Sequence, residues 1–305
     1  MKLLRTPDER FENIPDFPFE PHYIEIDDIR IHYVDEGSND EEIILLMHGV
    51  PTWSFLYRHM IPPLVNAGFR VVAPDLVGFG RSDKPSEQSD YTYRRQIEWM
   101  TKWMISLDLQ NITLFGQDWG AIIGLRMGIE NQDRFKRIVL SNGGLPTGET
   151  FIDGRTDEGN LERFKQWREL SRTTPALPIK MILQNVTISK LSRHVLKAYD
   201  APFPDESYKA GPLIMPSLVP ITPDDPEHDA NTKAREQFKQ WEKPFLTAFA
   251  DKDPIFIGGD LIWHELVPGA KGQKHTTIKN ASHMVQEDAG PELAEVIINF
   301  IKDNP

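Results

Sequence analysis

Six short apolar runs separated by helix-patterned stretches constrain this chain more than any other feature. IILLM (43–47), FRVVAPDL (69–76), ITLFG (112–116) and RIVLSN (137–142) are near-continuous in apolar residues, as strands buried on both faces are. FLTAFA (245–250) and HTTIKN (275–280) extend the series. From Tyr93 to Leu107, between two of the runs, Ile, Trp and Met recur at helical spacing. Upstream, HYIEI (22–26) and IRIHYV (29–34) alternate with a period of two, the pattern of an antiparallel hairpin with one exposed face. Strands alternating with helices predict an α/β architecture, a mostly parallel eight-stranded sheet with helices on both faces. The alternation stops between residues 148 and 230. Proline-rich pieces (ALPIK, APFP, AGP, MPSLVPITPDDP) and short helical segments such as LERFKQWREL replace strands there. The expected division is a core of residues 1–147 and 231–305, with a helical cap of residues 148–230 inserted between the sixth and seventh strands. Such a cap would lie over the carboxyl edge of the sheet, where ligands of open α/β sheets bind.

Charge and residue usage narrow the chemistry. With 34 Lys and Arg against 46 Asp and Glu, the net charge is −12, and no nucleic-acid partner is expected. There is no Cys, which excludes disulfides, Cys-based zinc sites and Cys nucleophiles. The most apolar run, 43–47, is too short to span a bilayer, so no membrane partner is expected. Charges and Pro interrupt MKLLRTPDERFENIPDF at once, so it reads as no signal peptide. The sequons at Asn111, Asn185 and Asn280 are then chance matches, and a cytoplasmic monomer is the expectation.

Residues 112–121 carry the chemistry. A strand runs into Gly116-Gln117-Asp118-Trp119-Gly120 and then a small-residue helix start. This is the nucleophile-elbow pattern, with Asp where many hydrolases have Ser; the alternative is a tight turn whose Asp caps the helix. Three further signals lie just past predicted strands in the order the pattern requires. His48-Gly49-Val50-Pro51 follows the first run, and there the backbone N–H groups of Val50 and Trp119 would form an oxyanion hole. Asp251-Lys252-Asp253-Pro254 supplies an acid, with Asp253 preferred over Asp251 because it lies past the strand end. Ala281-Ser282-His283-Met284 supplies the base. His22 and His32 lie in the hairpin, His275 opens its strand at the wrong end, and His59, His194, His228 and His264 lie away from strand ends. His48 fits better as a backbone organiser.

An Asp nucleophile attacks saturated carbon, forms an alkyl ester, and is regenerated when activated water attacks the ester carbonyl. Asp118 would be the nucleophile, His283 the base, and Asp253 the group that orients His283. The leaving group is a halide or an opening epoxide. A halide needs weak donors in an apolar pocket. Trp119 offers one indole N–H, and Trp167 offers a second unless it is simply a packed cap residue. An epoxide needs a phenol, and Tyr199 and Tyr208 are the cap tyrosines available.

The residues resemble those of the haloalkane dehalogenases, of the α/β-hydrolase superfamily. The matching stretches are 48–58 (HGVPTWSFLYR), 74–85 (PDLVGFGRSDKP), 116–120 (GQDWG), 201–205 (APFPD) and 282–287 (SHMVQE), spread over nearly the whole chain. More narrowly, they are similar to the subfamily with a two-tryptophan halide clamp and the acid after the seventh strand. The resemblance implies an α/β-hydrolase fold, hydrolysis of haloalkanes to alcohol and halide, and a small apolar halogenated substrate with water as co-reactant. It implies Asp118, His283 and Asp253 as the triad, Val50 and Trp119 as oxyanion donors, and Trp119 with Trp167 as halide donors. Val50 departs from the subfamily, in which Glu is usual (Asn in relatives). A side chain that cannot place the hydrolytic water implies slower ester hydrolysis or an altered substrate. No metal or cofactor is implied: there is no His-x-x-Glu-His helix, P-loop or dinucleotide fingerprint. The rivals are an epoxide hydrolase on the same scaffold and a ligand-binding protein that keeps the fold.

Overall fold

The apolar runs form the centre of one eight-stranded sheet. In this computed structural model, which describes residues 1–38, 41–149 and 158–305, the strands are β1 (His22–Ile26), β2 (Ile29–Glu36), β3 (Glu42–Met47), β4 (Phe69–Pro74), β5 (Ile112–Gln117), β6 (Phe135–Ser141), β7 (Phe245–Ala250) and β8 (Thr276–Ile278). Their order across the sheet is β1-β2-β4-β3-β5-β6-β7-β8. β2 runs antiparallel to both β1 and β4, and all other pairings are parallel. β3 through β7 are buried along nearly their whole length, which explains why their sequences do not alternate. A two-stranded ribbon, Leu3–Leu4 with Lys84–Pro85, stands apart from the sheet.

The hairpin departs from the one-sided exposure its alternation predicts. β1 keeps exposed positions, but β2 is buried from Ile31 through Val34, where Tyr33 packs edge-on against Trp103. Its polar position His32 is tolerated there because Nδ1 lies 2.7 Å from the Asp75 carboxylate.

Helices pack on the sheet as the alternation requires. Ile61–Asn66 packs against Val285–Asp303, and Tyr93–Ser106 against Trp119–Glu130. The last of these is buried at every residue except Glu130, since the sheet, Tyr93–Ser106 and His228–Phe238 all press on it. Between β6 and β7 the described chain is helical: Glu158–Thr173, Ile179–Asn185, Arg193–Asp200, Ala210–Leu218 and His228–Phe238. The last helix runs across the boundary expected after residue 230, and residues 150–157 of the expected cap lie outside the described residues. No described helix is long and apolar enough to cross a membrane.

The connections reverse direction at β3: the chain steps from β3 outward to β4, then returns to β5 on the other side. β3 and β5 are paired with Met47 opposite Gly116, so the turns after them leave the sheet side by side. That is the topological switch point, where a parallel sheet opens a crevice at its carboxyl edge.

Candidate active site

Asp118 sits on the turn between β5 and the helix Trp119–Glu130 with φ +51° and ψ −127°, a backbone conformation that non-glycine residues rarely adopt. The turn is held from both sides. The Asp118 N–H donates to the Asn142 carbonyl at 3.1 Å, and the Asp118 carbonyl accepts from the N–H groups of Ala121 and Ile122. Gly120 is required by proximity, because a Cβ there would overlap the Met47 carbonyl at the end of β3. Gly49 is required for the same reason, since its Cβ would overlap the Asp118 carboxylate itself. With both glycines in place, the Val50 N–H donates to Asp118 Oδ1 at 2.7 Å. The Trp119 N–H, the other expected oxyanion donor, makes no hydrogen bond to that carboxylate in this resting geometry. His48 has the organising part expected of it: Nε2 accepts from the Leu76 N–H at 2.9 Å, and Nδ1 lies 2.8 Å from the Gly49 carbonyl.

The loops after β7 and β8 bring Asp253 and His283 to the same place. His283 Nδ1 is 2.9 Å from Asp253 Oδ2, and His283 Nε2 is 3.4 Å from Asp118 Oδ2. Asp253 commits its other oxygen to its own turn, accepting from the N–H groups of Ile255 (2.7 Å) and Phe256 (3.1 Å). Asp251 instead faces Lys252, so of the two acids it is Asp253 that reaches the imidazole. Burial acts against the imidazolium of His283, but Asp253 and Asp118 outweigh it and push its pKa up to about 10. The Phe256 ring stacks on the imidazole, with centroids 5.8 Å apart.

Two amide side chains hold this loop, and the motif analysis missed both. Asn142 Nδ2 donates to the carbonyls of Ser282 (2.9 Å) and His283 (3.0 Å), while its Oδ1 accepts from the Ala250 N–H. Gln117 Nε2 donates to the His283 carbonyl at 3.0 Å. An amide cannot supply the acid, so Asn142 carries no catalytic signal of its own. Its place immediately after a predicted strand, next to β5, is the available signal.

The site opens into a cavity of about 450 Å³. Val50, Asp118, Trp119 and His283 form its floor, and Trp167, Phe164 and Ile182 contribute from the cap helices. The rings of Trp119 and Trp167 both line the cavity. Tyr199 and Tyr208 do not line it, and the Tyr199 hydroxyl donates to Glu287. Of the remaining histidines, His264 and His275 stack on each other beside Thr247, and His228 bonds the Thr147 carbonyl. Among the described residues no group of three or more His, Asp or Glu side chains is placed to hold a metal ion.

Comparison with known proteins gives the family. A family model described as alpha/beta hydrolase fold matches residues 42–290. A haloalkane dehalogenase of Psychrobacter cryohalolentis is 51% identical over 310 residues, covering 100% of both chains. One from Mycolicibacterium paratuberculosis is 49% identical over 305 residues, covering 98% of each. The solved structure of the tetrameric haloalkane dehalogenase DpaA from Paraglaciecola agarilytica superposes with a TM-score of 0.88 at 37% identity, covering 97% of each chain. With full-length relatives near half identity, the expected fold and the matching motifs, the chain belongs to the haloalkane dehalogenases, hydrolases of the α/β-hydrolase fold that act on carbon–halogen bonds.

Proposed function

We propose that the chain converts small apolar haloalkanes and water to alcohol and halide through a covalent ester on Asp118. The observation that carries this reading is one imidazole held between two carboxylates, one of them facing an apolar cavity. In the first step Asp118 Oδ2 attacks the carbon bearing the halogen. The carbon–halogen bond breaks, and the halide leaves with the bonding pair between the indoles of Trp119 and Trp167. Those donors strengthen as charge reaches the halogen, which is what lowers the barrier rather than merely binding substrate. In the second step a water gives a proton to His283 Nε2 and attacks the ester carbonyl. Oδ1 takes the negative charge within reach of the Val50 N–H; the bond between Cγ and Oδ2 then breaks, and the leaving alkoxide takes the proton of the added hydroxyl to depart as alcohol, regenerating the Asp118 carboxylate. Asp253 holds the Nδ1 proton and stabilises the cation as it forms.

The position of His283 suits the order of these steps. In the resting protein two carboxylates favour its cation. Esterification removes the charge of Asp118, so His283 loses one of the two groups holding its proton at the moment it must act as a base.

In this reading residues 148–230 act as the cap and the rest as the core. All catalytic groups come from one chain, so no second subunit is needed to complete the site. Epoxide opening is less well served, because neither Tyr199 nor Tyr208 lines the cavity to protonate a leaving oxygen. Halide release from brominated, iodinated and chlorinated alkanes tests the reading, with intact mass of His283→Phe as its check. The expected result is release in the native protein, none in Asp118→Asn, and one alkyl group retained per molecule of His283→Phe. Styrene oxide turnover in place of halide release would overturn it.

A further inference from the structure

The loop carrying His283 is held by two different bodies. Its carbonyls are held by the core, through Asn142 and Gln117. Its amides on either side of His283 are tied to the cap. The Met284 N–H donates to the Val186 carbonyl at 3.0 Å. The Ser282 N–H donates to Asp288 Oδ2 at 2.8 Å, and the same carboxylate accepts from the cap N–H groups of Ile188 (3.0 Å) and Ser189 (2.7 Å). An acid in the first turn of a helix, as Asp288 is in Val285–Asp303, is ordinary. Its donors are not: two come from a segment about a hundred residues earlier in the chain, and the third comes from the residue preceding the base. That cap segment also reaches the reaction space, since Val186 lines the catalytic cavity together with His283 and Met284.

We propose that Asp288 is a positioning residue that locks the His283 loop to cap segment 186–189, so that the seating of the cap sets the rate of ester hydrolysis. This rests on the two-step reading above. The first step uses Asp118 and needs no proton transfer by His283. The second requires His283 Nε2 within hydrogen-bond reach of a water aimed at the ester carbonyl, and a displacement of about 1 Å there costs on the order of 100-fold. Releasing Asp288 therefore slows the second step and spares the first.

The test is rapid-mixing halide release and intact mass with 1-bromobutane, comparing the native protein with Asp288→Ala and the near-isosteric Asp288→Asn. The expected result is a burst of one halide per molecule at the native rate, followed by turnover slowed roughly 10- to 100-fold, with alkyl ester accumulating on Asp118. When only the later step slows, kcat and KM fall together and kcat/KM is unchanged, a signature that general damage to the fold does not produce. A loss of kcat/KM in Asp288→Asn, or the absence of trapped ester in it while His283→Phe traps one, overturns the proposal. Failure of His283→Phe to trap ester overturns the mechanism itself, and this inference with it.

Discussion

The carboxyl edge of the sheet and the cap above it fix their residues by different means. At the sheet edge each reactive side chain rides on a turn stitched to its neighbour through the backbone. Asp118 is tied to Asn142, Asp251 to Ile278 and Lys252 to Ala281 by main-chain hydrogen bonds. The cap is built of helices packed on one another, Glu158–Thr173 on Ala210–Leu218 and Ile179–Asn185 on Arg193–Asp200, and many of its ties to the core run through side chains. Tyr199 reaches Glu287, Trp53 donates to the Ala198 carbonyl, and Thr6 and Arg10 donate to the carbonyls of Pro202 and Ala201. The turns at the sheet edge are tied to one another by backbone first, with Asn142, Gln117 and Asp288 adding side-chain ties to the His283 loop. Groups that only shape a pocket sit where side chains place them. Substitutions in the two regions should therefore fail differently.

The largest contrast comes from the edge. Asp118→Asn should abolish halide release while leaving the fold in place, because the carboxylate caps no helix and the amide oxygen can still accept from the Val50 N–H; circular dichroism and a halide assay check both halves. The same variant tests the electrostatics. The folded His283 value of about 10 lies above the ordinary 6.5, so the stabilisation its carboxylate neighbours supply is complete below about pH 6.5 and is lost as pH rises through about 10. Removing the Asp118 charge should lower the His283 midpoint in an NMR titration. An unchanged midpoint would mean Asp253 alone holds the proton.

Next in size is a change that should unfasten the cap. Glu287 is buried, paired with buried Arg58 at 2.5 and 2.8 Å, and accepts from Tyr199. Glu287→Ala leaves a buried guanidinium unpaired and should cost about 3–5 kcal/mol of stability in urea unfolding. A loss below about 1 kcal/mol would break the comparison, since it would show the cap is seated by packing rather than by its polar ties.

Trp167→Phe should be milder and purely kinetic. The ring is half-buried, so stability should barely change. Losing one hydrogen bond to a developing halide should raise the barrier of the first step by about 1.5–3 kcal/mol, with chloride substrates suffering more than iodide. Equal slowing across halogens would make Trp167 a wall of the pocket and not a donor.

The same division explains what could be read from the sequence. The sheet was legible because buried parallel strands write themselves as apolar runs, and the residues that converge at the sheet edge were legible because each lies just past one of those runs. The burial of His32 and the loop contacts of Asn142 were not legible for one reason: each is a polar side chain whose partner, Asp75 or the 282–283 carbonyls, is remote in sequence. The cap was legible only as an interruption. APFPD stood out as a motif, yet its neighbours are Thr6 and Arg10, nearly two hundred residues earlier, and no periodicity reports such a contact. Trp167 could be placed on a helix by spacing, but whether that helix face met the core or the cavity depended on how five helices pack.

Val50 offers the finest test of the comparison, because backbone and side chain make opposite demands at that position. Its N–H meets Asp118 Oδ1, whereas its side chain lines the cavity and can neither donate nor accept. If the sheet edge acts chiefly through its backbone, the oxyanion contact survives any substitution there that keeps the turn. Val50→Glu should then speed ester hydrolysis by less than about tenfold, equivalent to about 1.4 kcal/mol, by helping to hold the attacking water. Val50→Gln separates that help from the added charge beside Asp118. Single-turnover decay of the trapped ester measures the step directly. A much larger acceleration would place the hydrolytic water under side-chain control and move position 50, despite its location at the end of β3, into the same category as the cap.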